Sequence, residues 1–310
     1  MSKIPLSSFV RSLALAALLS AVAACAEIRT TGAGAAPAIP DVTVGPQYDT
    51  THVYIDDPAH YDAFVDAFTA TFGGKPSKRG TFNVMPVPAN TQAQYVWSPA
   101  GTLSTFSFLT PIPYPFGQER TGWLVTDMDR ALAAARAAGA EVIVDKFRDP
   151  IGYDAVIQFP GGVKIQLYWH FDAPHYAPLE SVPDNRVYVS PEAADIFVKD
   201  FLAFSHGRLI ADDKQADAAE IGKKGETMRR IRIESNFGKT LVFVTDGHLP
   251  YPFGHEITGY ETKDLDATLA KAMQAGAKVL SPRNEVREFS TAVIEFPGGY
   301  IAEVHAPRAH

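Results

Sequence analysis

Two glutamates hold the same place in two copies of one motif. Pro113-Tyr114-Pro115-Phe116-Gly117-Gln118-Glu119-Arg120-Thr121-Gly122-Trp123 recurs as Pro250-Tyr251-Pro252-Phe253-Gly254-His255-Glu256-Ile257-Thr258-Gly259-Tyr260, identical at eight of eleven positions. In a cleft, Glu119 and Glu256 would serve as ligands or as general bases, which need an acceptor within hydrogen-bond reach of the substrate. Their structural alternative is to pair with Thr121 or Thr258, or to cap local amides. A second constellation closes the chain. Glu303 and His305 are two residues apart, so a strand would place both on one face, as an acid–base or ligand pair or as a mutually satisfied one. Tyr168, within Tyr168-Trp169-His170-Phe171, could line a cleft mouth. His255, which replaces Gln118, is a loop histidine of the kind that is usually solvated.

The repeat extends beyond the motif. Gly139 maps onto Gly276 and Pro160-Gly161-Gly162 onto Pro297-Gly298-Gly299, at the offset of the motif itself (250 − 113 = 276 − 139 = 297 − 160 = 137). An offset this long is a copied structural unit, not a short solenoid period. Each copy reads as two β-α-β-β-β units. In the first, a strand at Thr51–Ile55 precedes a helix marked by Tyr61, Phe64, Phe68 and Phe72 at helical spacing. Strands follow near 82–87, 94–97 and 103–109. In the second, Asp127 or Asp129 caps an alanine-rich helix that stops at Gly139. Strands near 141–144, 155–159 and 163–168 complete it. Residues 172–184, with Pro174, Pro178 and Pro183, read as a linker. The third and fourth units repeat the pattern from Arg186 onward.

Composition narrows the function. The 310 residues are 46% hydrophobic and 20% charged with a formal charge of −7, ordinary for a globular protein and unlike a nucleic-acid binder, which favours a basic face. Arg229-Arg230-Ile231-Arg232 is the one dense basic patch, and its alternation suits an exposed strand face.

Four β-α-β-β-β units in two pairs, Asp-x-Asp helix starts, Ala-Gly-Ala helix stops and Pro-Gly-Gly turns resemble the vicinal oxygen chelate superfamily of glyoxalases, bleomycin-resistance proteins and extradiol dioxygenases. The resemblance spans residues 48–308. It implies an α+β fold of four βαβββ modules paired into two tandem glyoxalase-like half-barrel domains, 48–171 and 185–310. It also implies a glyoxalase- or dioxygenase-like protein acting on a small oxygenated or aromatic molecule. The alternative is metal-free binding or sequestration of such a molecule. Metal-using relatives place a His or Gln on a module's first strand and a Glu near the end of its last. That carries onto His52 and Glu303 as ligands of one divalent ion (zinc, nickel, iron or manganese), with Gln166, Tyr168 and His305 toward the substrate. Modules one and two together offer His52 and Gln166; three and four offer Arg186 and Glu303; only a one-with-four pairing unites His52 with Glu303. None completes a three-ligand set.

The amino end carries its own resemblance. Lys3 and Arg11, the apolar run from Leu13 to Ala24, and Val22-Ala23-Ala24-Cys25 are similar to a bacterial lipoprotein signal. This implies cleavage after residue 24, acylation of Cys25, and a lipid-bilayer anchor in the cell envelope, with Ala26 pointing to the outer membrane, facing the periplasm. Cys25 is the one cysteine, so disulfides and thiolate chemistry are excluded from the rest. Residues 25–47, rich in Thr, Gly, Ala and Pro, read as a tether holding the domains ~25 Å from the bilayer.

Overall fold

A computed structural model of the chain describes residues 38–308 apart from 47, 49, 112–116 and 288, so the expected signal segment and Cys25 lie outside the described residues. No helix among the described residues is long and apolar enough to cross a membrane.

Strands β1 (Thr51–Tyr54), β2 (Lys75–Pro76), β3 (Gly80–Phe82), β4 (Thr91–Ser98), β5 (Gly101–Phe108), β6 (Glu119–Leu124), β7 (Glu141–Arg148), β8 (Gly152–Gln158) and β9 (Lys164–His170) form one sheet. Its order is β2-β4-β5-β1-β6-β9-β8-β7, with β3 paired to β4. The second sheet takes β10 (Asp184–Val189), β11 (Arg208–Asp217), β12 (Thr227–Ser235), β13 (Gly238–Val244), β14 (Ile257–Glu261), β15 (Lys278–Glu285), β16 (Phe289–Glu295) and β17 (Ile301–Pro307), in the order β11-β12-β13-β10-β14-β17-β16-β15. Each sheet curls its two modules about a central antiparallel pair, β1 with β6 and β10 with β14. This is the expected α+β architecture. Four α-helices among the described residues complete it: α1 (Tyr61–Phe72), α2 (Met128–Ala137), α3 (Pro191–Ser205) and α4 (Leu265–Gln274). Asp127 and Asp264 cap α2 and α4, accepting from the Arg130 amide at 2.8 Å and the Ala267 amide at 2.9 Å, which satisfies amides that have no partner inside the helix.

Two local expectations change. The strand expected at 82–87 ends at Phe82. Asn83 Oδ1 instead accepts from the amides of Met85 and Ala89, and Pro86 and Pro88 carry no N–H for a ladder. Glu119, whose expected alternative is to cap local amides, is the first residue of β6, opposite Val53 of β1.

Hydrogen bonding joins modules one to two and three to four, but the apolar cores do not follow it. One core gathers Trp123, α2 and the inner faces of β8 and β9 with Phe197, Phe201 and Phe204 of α3 and Ile231, Phe237 and Val242 of the second sheet. The other gathers Phe64 and Phe68 of α1 with Tyr260, Leu269 of α4, Phe296 and Tyr300. Trp123 stacks on Phe237 at 4.3 Å, and Phe68 meets Tyr260 edge-on at 5.4 Å. Helices from opposite halves share each core, so neither half buries its apolar surface alone. Trp123→Ala and Phe201→Ala should therefore each cost about 3–5 kcal/mol, read as a lower urea midpoint with both halves unfolding in a single transition; two separate transitions would contradict the shared core.

Candidate functional site

The glycine of the repeated Thr-Gly pair explains itself at the centre of each half-barrel. A Cβ on Gly122 would lie 2.6 Å from His52 Nε2, closer than any side chain tolerates, so only glycine lets the imidazole lie across β6. Gly259 stands in the same relation to the second half, where a Cβ would lie 2.6 Å from Glu303 Oε2 and 3.1 Å from Arg186 Cδ. The registers make the equivalence strict. His52 pairs with Arg120 and Arg186 with Ile257, while Gly122 pairs with Gln166 and Gly259 with Glu303, each partner shifted by 137. One half thus carries His52, Gly122 and Gln166 where the other carries Arg186, Gly259 and Glu303.

The first half-barrel opens as a cleft of about 270 Å³. Tyr54, Tyr95, Phe106, Phe108 and Tyr168 wall it; His52, Gln166 and Asp154 provide polar groups, and Asp149, His170 and Arg120 line it too. Tyr54 stacks on Phe106 at 5.6 Å, and His52 meets the edge of Phe106 at 5.7 Å and tilts on Tyr168 at 5.4 Å. Gln166 Nε2 donates to Asp154 Oδ2 at 3.2 Å. Burial pushes the Asp149 carboxyl up, while amide bonds from Ile151 and Gly152 and the nearby His170 and His52 pull it back. Such a cleft suits a flat apolar ring with one polar edge.

The second half-barrel is filled by its own charges. Arg186 is buried, with Nη1 3.1 Å from Glu220 Oε1 and 3.7 Å from Glu303 Oε2, and its guanidinium lies 4.7 Å over Phe243. Arg230 adds a 2.8 Å bond to Glu220. His305 Nδ1 meets Glu303 Oε2 at 2.8 Å, its Nε2 lies 3.7 Å from Asp184, and Thr291 donates to Glu303. Burial alone would raise the Glu303 carboxyl, but His305 and Arg186 outweigh it and hold it down at about 2. Burial lowers the His305 imidazole, and Glu303 more than reverses this, leaving it above its usual range. The remaining cavity, about 180 Å³, reaches Asp184, Lys239 and Glu261.

The expected residues therefore separate. His52, Gln166 and Tyr168 line the first cleft, His305 lines the second, and Glu303 lies beneath it against Arg186. The His52–Glu303 couple does not form, because each sheet closes on its own two modules. Glu119 and Glu256 line neither cleft. They form a seam between the two motif copies, in crossed pairs. Glu256 Oε1 accepts from the amide of Thr121 at 2.9 Å and from its hydroxyl, while the Thr258 hydroxyl donates to Glu119 at 3.0 Å. Gln118 completes the seam through the Ile301 amide at 2.7 Å and carbonyl at 3.0 Å. The pairing with threonine anticipated from sequence is real, but it runs to the other copy. Burial, and for Glu119 also the charge of Glu256, raises both carboxyls, Glu119 well above its usual range.

A family-type divalent metal does not fit this donor set. In the second half a permanent cation already sits against Glu303 and would repel another. In the first, His52 and Gln166 come without a carboxylate at the family position, so the set is one charged ligand short. No group of three His, Cys, Asp or Glu among the described residues could hold an ion. Sequence reading missed Asp149, Asp154 and the aromatic pair Tyr54 and Phe106. The alternation His52, Tyr54 and Ser104, Phe106, Phe108 was the available signal. Asp154 needed the β8–β9 register.

No protein-family model and no curated protein matches the sequence. Solved structures do. A triple mutant of 4-hydroxymandelate synthase from Streptomyces coelicolor aligns over 87% of this chain and 95% of its own, at 11% identity and TM-score 0.57. The 2,3-dioxygenase LapB from Pseudomonas sp. KL28 aligns over 87% and 94%, at 12% identity and TM-score 0.54. The chain has the vicinal oxygen chelate fold. A fusion of a xylose isomerase-like TIM barrel with 4-hydroxyphenylpyruvate dioxygenase shares that fold over 87% of this chain and 50% of its own, at 12% identity and TM-score 0.52. Within this vicinal oxygen chelate fold the first cleft has kept an open interior, and the second has become an ion-pair core.

Two pH predictions follow the charges. Glu303 lies below its unfolded value of 4.5, so its contribution is complete above that pH and lost as pH falls toward 2. His305 lies above its unfolded 6.5, so its contribution is present below that value and lost as pH rises through the folded one. Glu303→Gln should lower stability at pH 6 by about 3–5 kcal/mol and flatten the acid limb of a melting-temperature profile. Glu119 and Glu256 behave oppositely, since their raised values weaken the fold as pH rises above 4.5. Glu119→Gln, which keeps the acceptor for Thr258, should lessen that alkaline decline, whereas Glu119→Ala should cost about 1–3 kcal/mol at every pH.

Proposed function

We propose that this protein binds a small aromatic molecule in its first cleft without a family-type metal, and that binding or sequestration is its activity. The observation that carries the reading is the contrast between the halves: an open, aromatic-walled cleft over His52 and Gln166 beside a second interior occupied by Arg186 and its carboxylates. In that pose the ring lies against Tyr54 and Phe106, and a hydroxyl or carbonyl edge meets His52 and Gln166. Two of the similar structures are named for 4-hydroxyphenylpyruvate dioxygenase and 4-hydroxymandelate synthase, which supports an aromatic ligand. Acylation of Cys25 and residence at the outer membrane, facing the periplasm, belong to the same proposal; palmitate labelling lost in Cys25→Ala tests them.

Calorimetry against phenols and 4-hydroxyphenyl acids, with cyclohexanols as saturated controls, tests the cleft. A binder at 100 times its Kd should stabilise the fold by about 2.7 kcal/mol. Phe106→Ala and His52→Ala should weaken binding at least tenfold. No affinity for any aromatic member, or equal affinity for the saturated controls, would overturn the reading. Stoichiometric zinc, nickel, iron or manganese in the purified protein, lost in His52→Ala, would replace the metal-free reading with a metal-dependent enzyme.

A further inference from the structure

We propose that Tyr48 and Tyr176 form the end wall of the first cleft and set the length of the ligand it accepts. This rests on the first cleft being the ligand site. The interior of the first half-barrel does not run from end to end. Beyond His52 and Gly122, toward the amino end of β1, it is filled by Tyr48, Leu124 and Tyr176 packed under Tyr168. Neither tyrosine belongs to the sheet. Tyr48 precedes β1 and Tyr176 lies in the linker between the halves. Their rings are 5.3 Å apart, and the Tyr48 hydroxyl donates to the Pro174 carbonyl at 3.1 Å. Tyr176 also lies edge-on to Tyr95 at 5.8 Å and Trp97 at 6.1 Å. Tyr95 faces the cleft, whereas Trp97 and Tyr176 line a separate groove beyond it. The Tyr95–Tyr176 contact thus stands between the two spaces.

The second half shows the same end without a plug. Glu261, 137 positions after Leu124, and Glu234, set against β13 as Trp97 is set against β5, line an open cavity there. Its opposite end is the filled one, by Ile221, Leu241, Phe243 and their neighbours. Two equivalent barrels are stopped at opposite ends, the first by Tyr48 and Tyr176 from outside the strands and the second by Ile221 together with the strand residues Leu241 and Phe243, so the stops decide which part of each interior is usable. An apolar wall of aromatic rings rejects length by steric exclusion, and its removal creates apolar volume that added methylenes can fill.

The test is a 4-alkylphenol series, methyl to octyl, measured by calorimetry on the full chain. The wild type should bind short members best. Tyr176→Ala should move the optimum at least two carbons longer and tighten hexylphenol at least tenfold, and Tyr176→Phe should keep the wild-type profile. A folded Tyr176→Ala protein, judged by circular dichroism, with an unchanged length profile overturns the wall alone. A wild type that binds no member of the series removes the cleft reading and the wall with it. Tyr48→Ala serves as the second opening variant should Tyr176→Ala not fold, and the same two outcomes decide.

Discussion

Each curled sheet has one apolar face that must be covered, and the helices of its own modules cover it incompletely. The molecule meets this constraint by placing all four helices in two cores shared between the sheets: α2 with α3 around Trp123, Phe201 and Phe237, and α1 with α4 around Phe64, Phe68 and Phe296. Strand-to-strand hydrogen bonds are satisfied within a half, and apolar area is satisfied between halves. The two opposed module pairings are therefore both present, one in the backbone and one in the side chains. Both clefts face away from the cores as a result, and neither can borrow residues from the other.

That separation let the two interiors diverge. A buried ionised carboxylate needs a counter-charge or a set of hydrogen-bond donors. Where the second half has Glu303 it also has Arg186, Glu220 and His305, and the interior closes into an ion-paired core. Where the first half has Gln166 no such demand exists, and His52 stands over an aromatic cleft. Glycine at 122 and 259 is the shared condition of both outcomes, because either central side chain needs the space of a Cβ.

The repeated motif has a role that its identity alone conceals. Glu119 and Glu256 reach across a near-symmetrical seam to the threonine of the other copy, so each copy preserves the residues its counterpart requires. A reciprocal contact of this kind is by itself enough to account for the likeness of the two copies.

The sequence by itself determined the module count, the Asp-x-Asp helix starts, the Pro-Gly-Gly turns and the fold, because these rest on local signals: side-chain period, capping oxygens and glycine turns. It also marked His52, Gln166 and Tyr168 as inward-facing, since strand alternation survives small errors of placement. Tertiary structure alone decided which of those residues meet. His52 and Glu303 are equally well placed on their strands, yet sheet closure sends them to different interiors. Asp154 joins Gln166 only through strand register, Glu119 finds Thr258 only through the seam, and Tyr48 and Tyr176 pack on Tyr168 and Tyr95 from segments that no periodicity describes. Contacts between residues more than a hundred positions apart follow from how two curved sheets share their helices, and no local pattern carries that information.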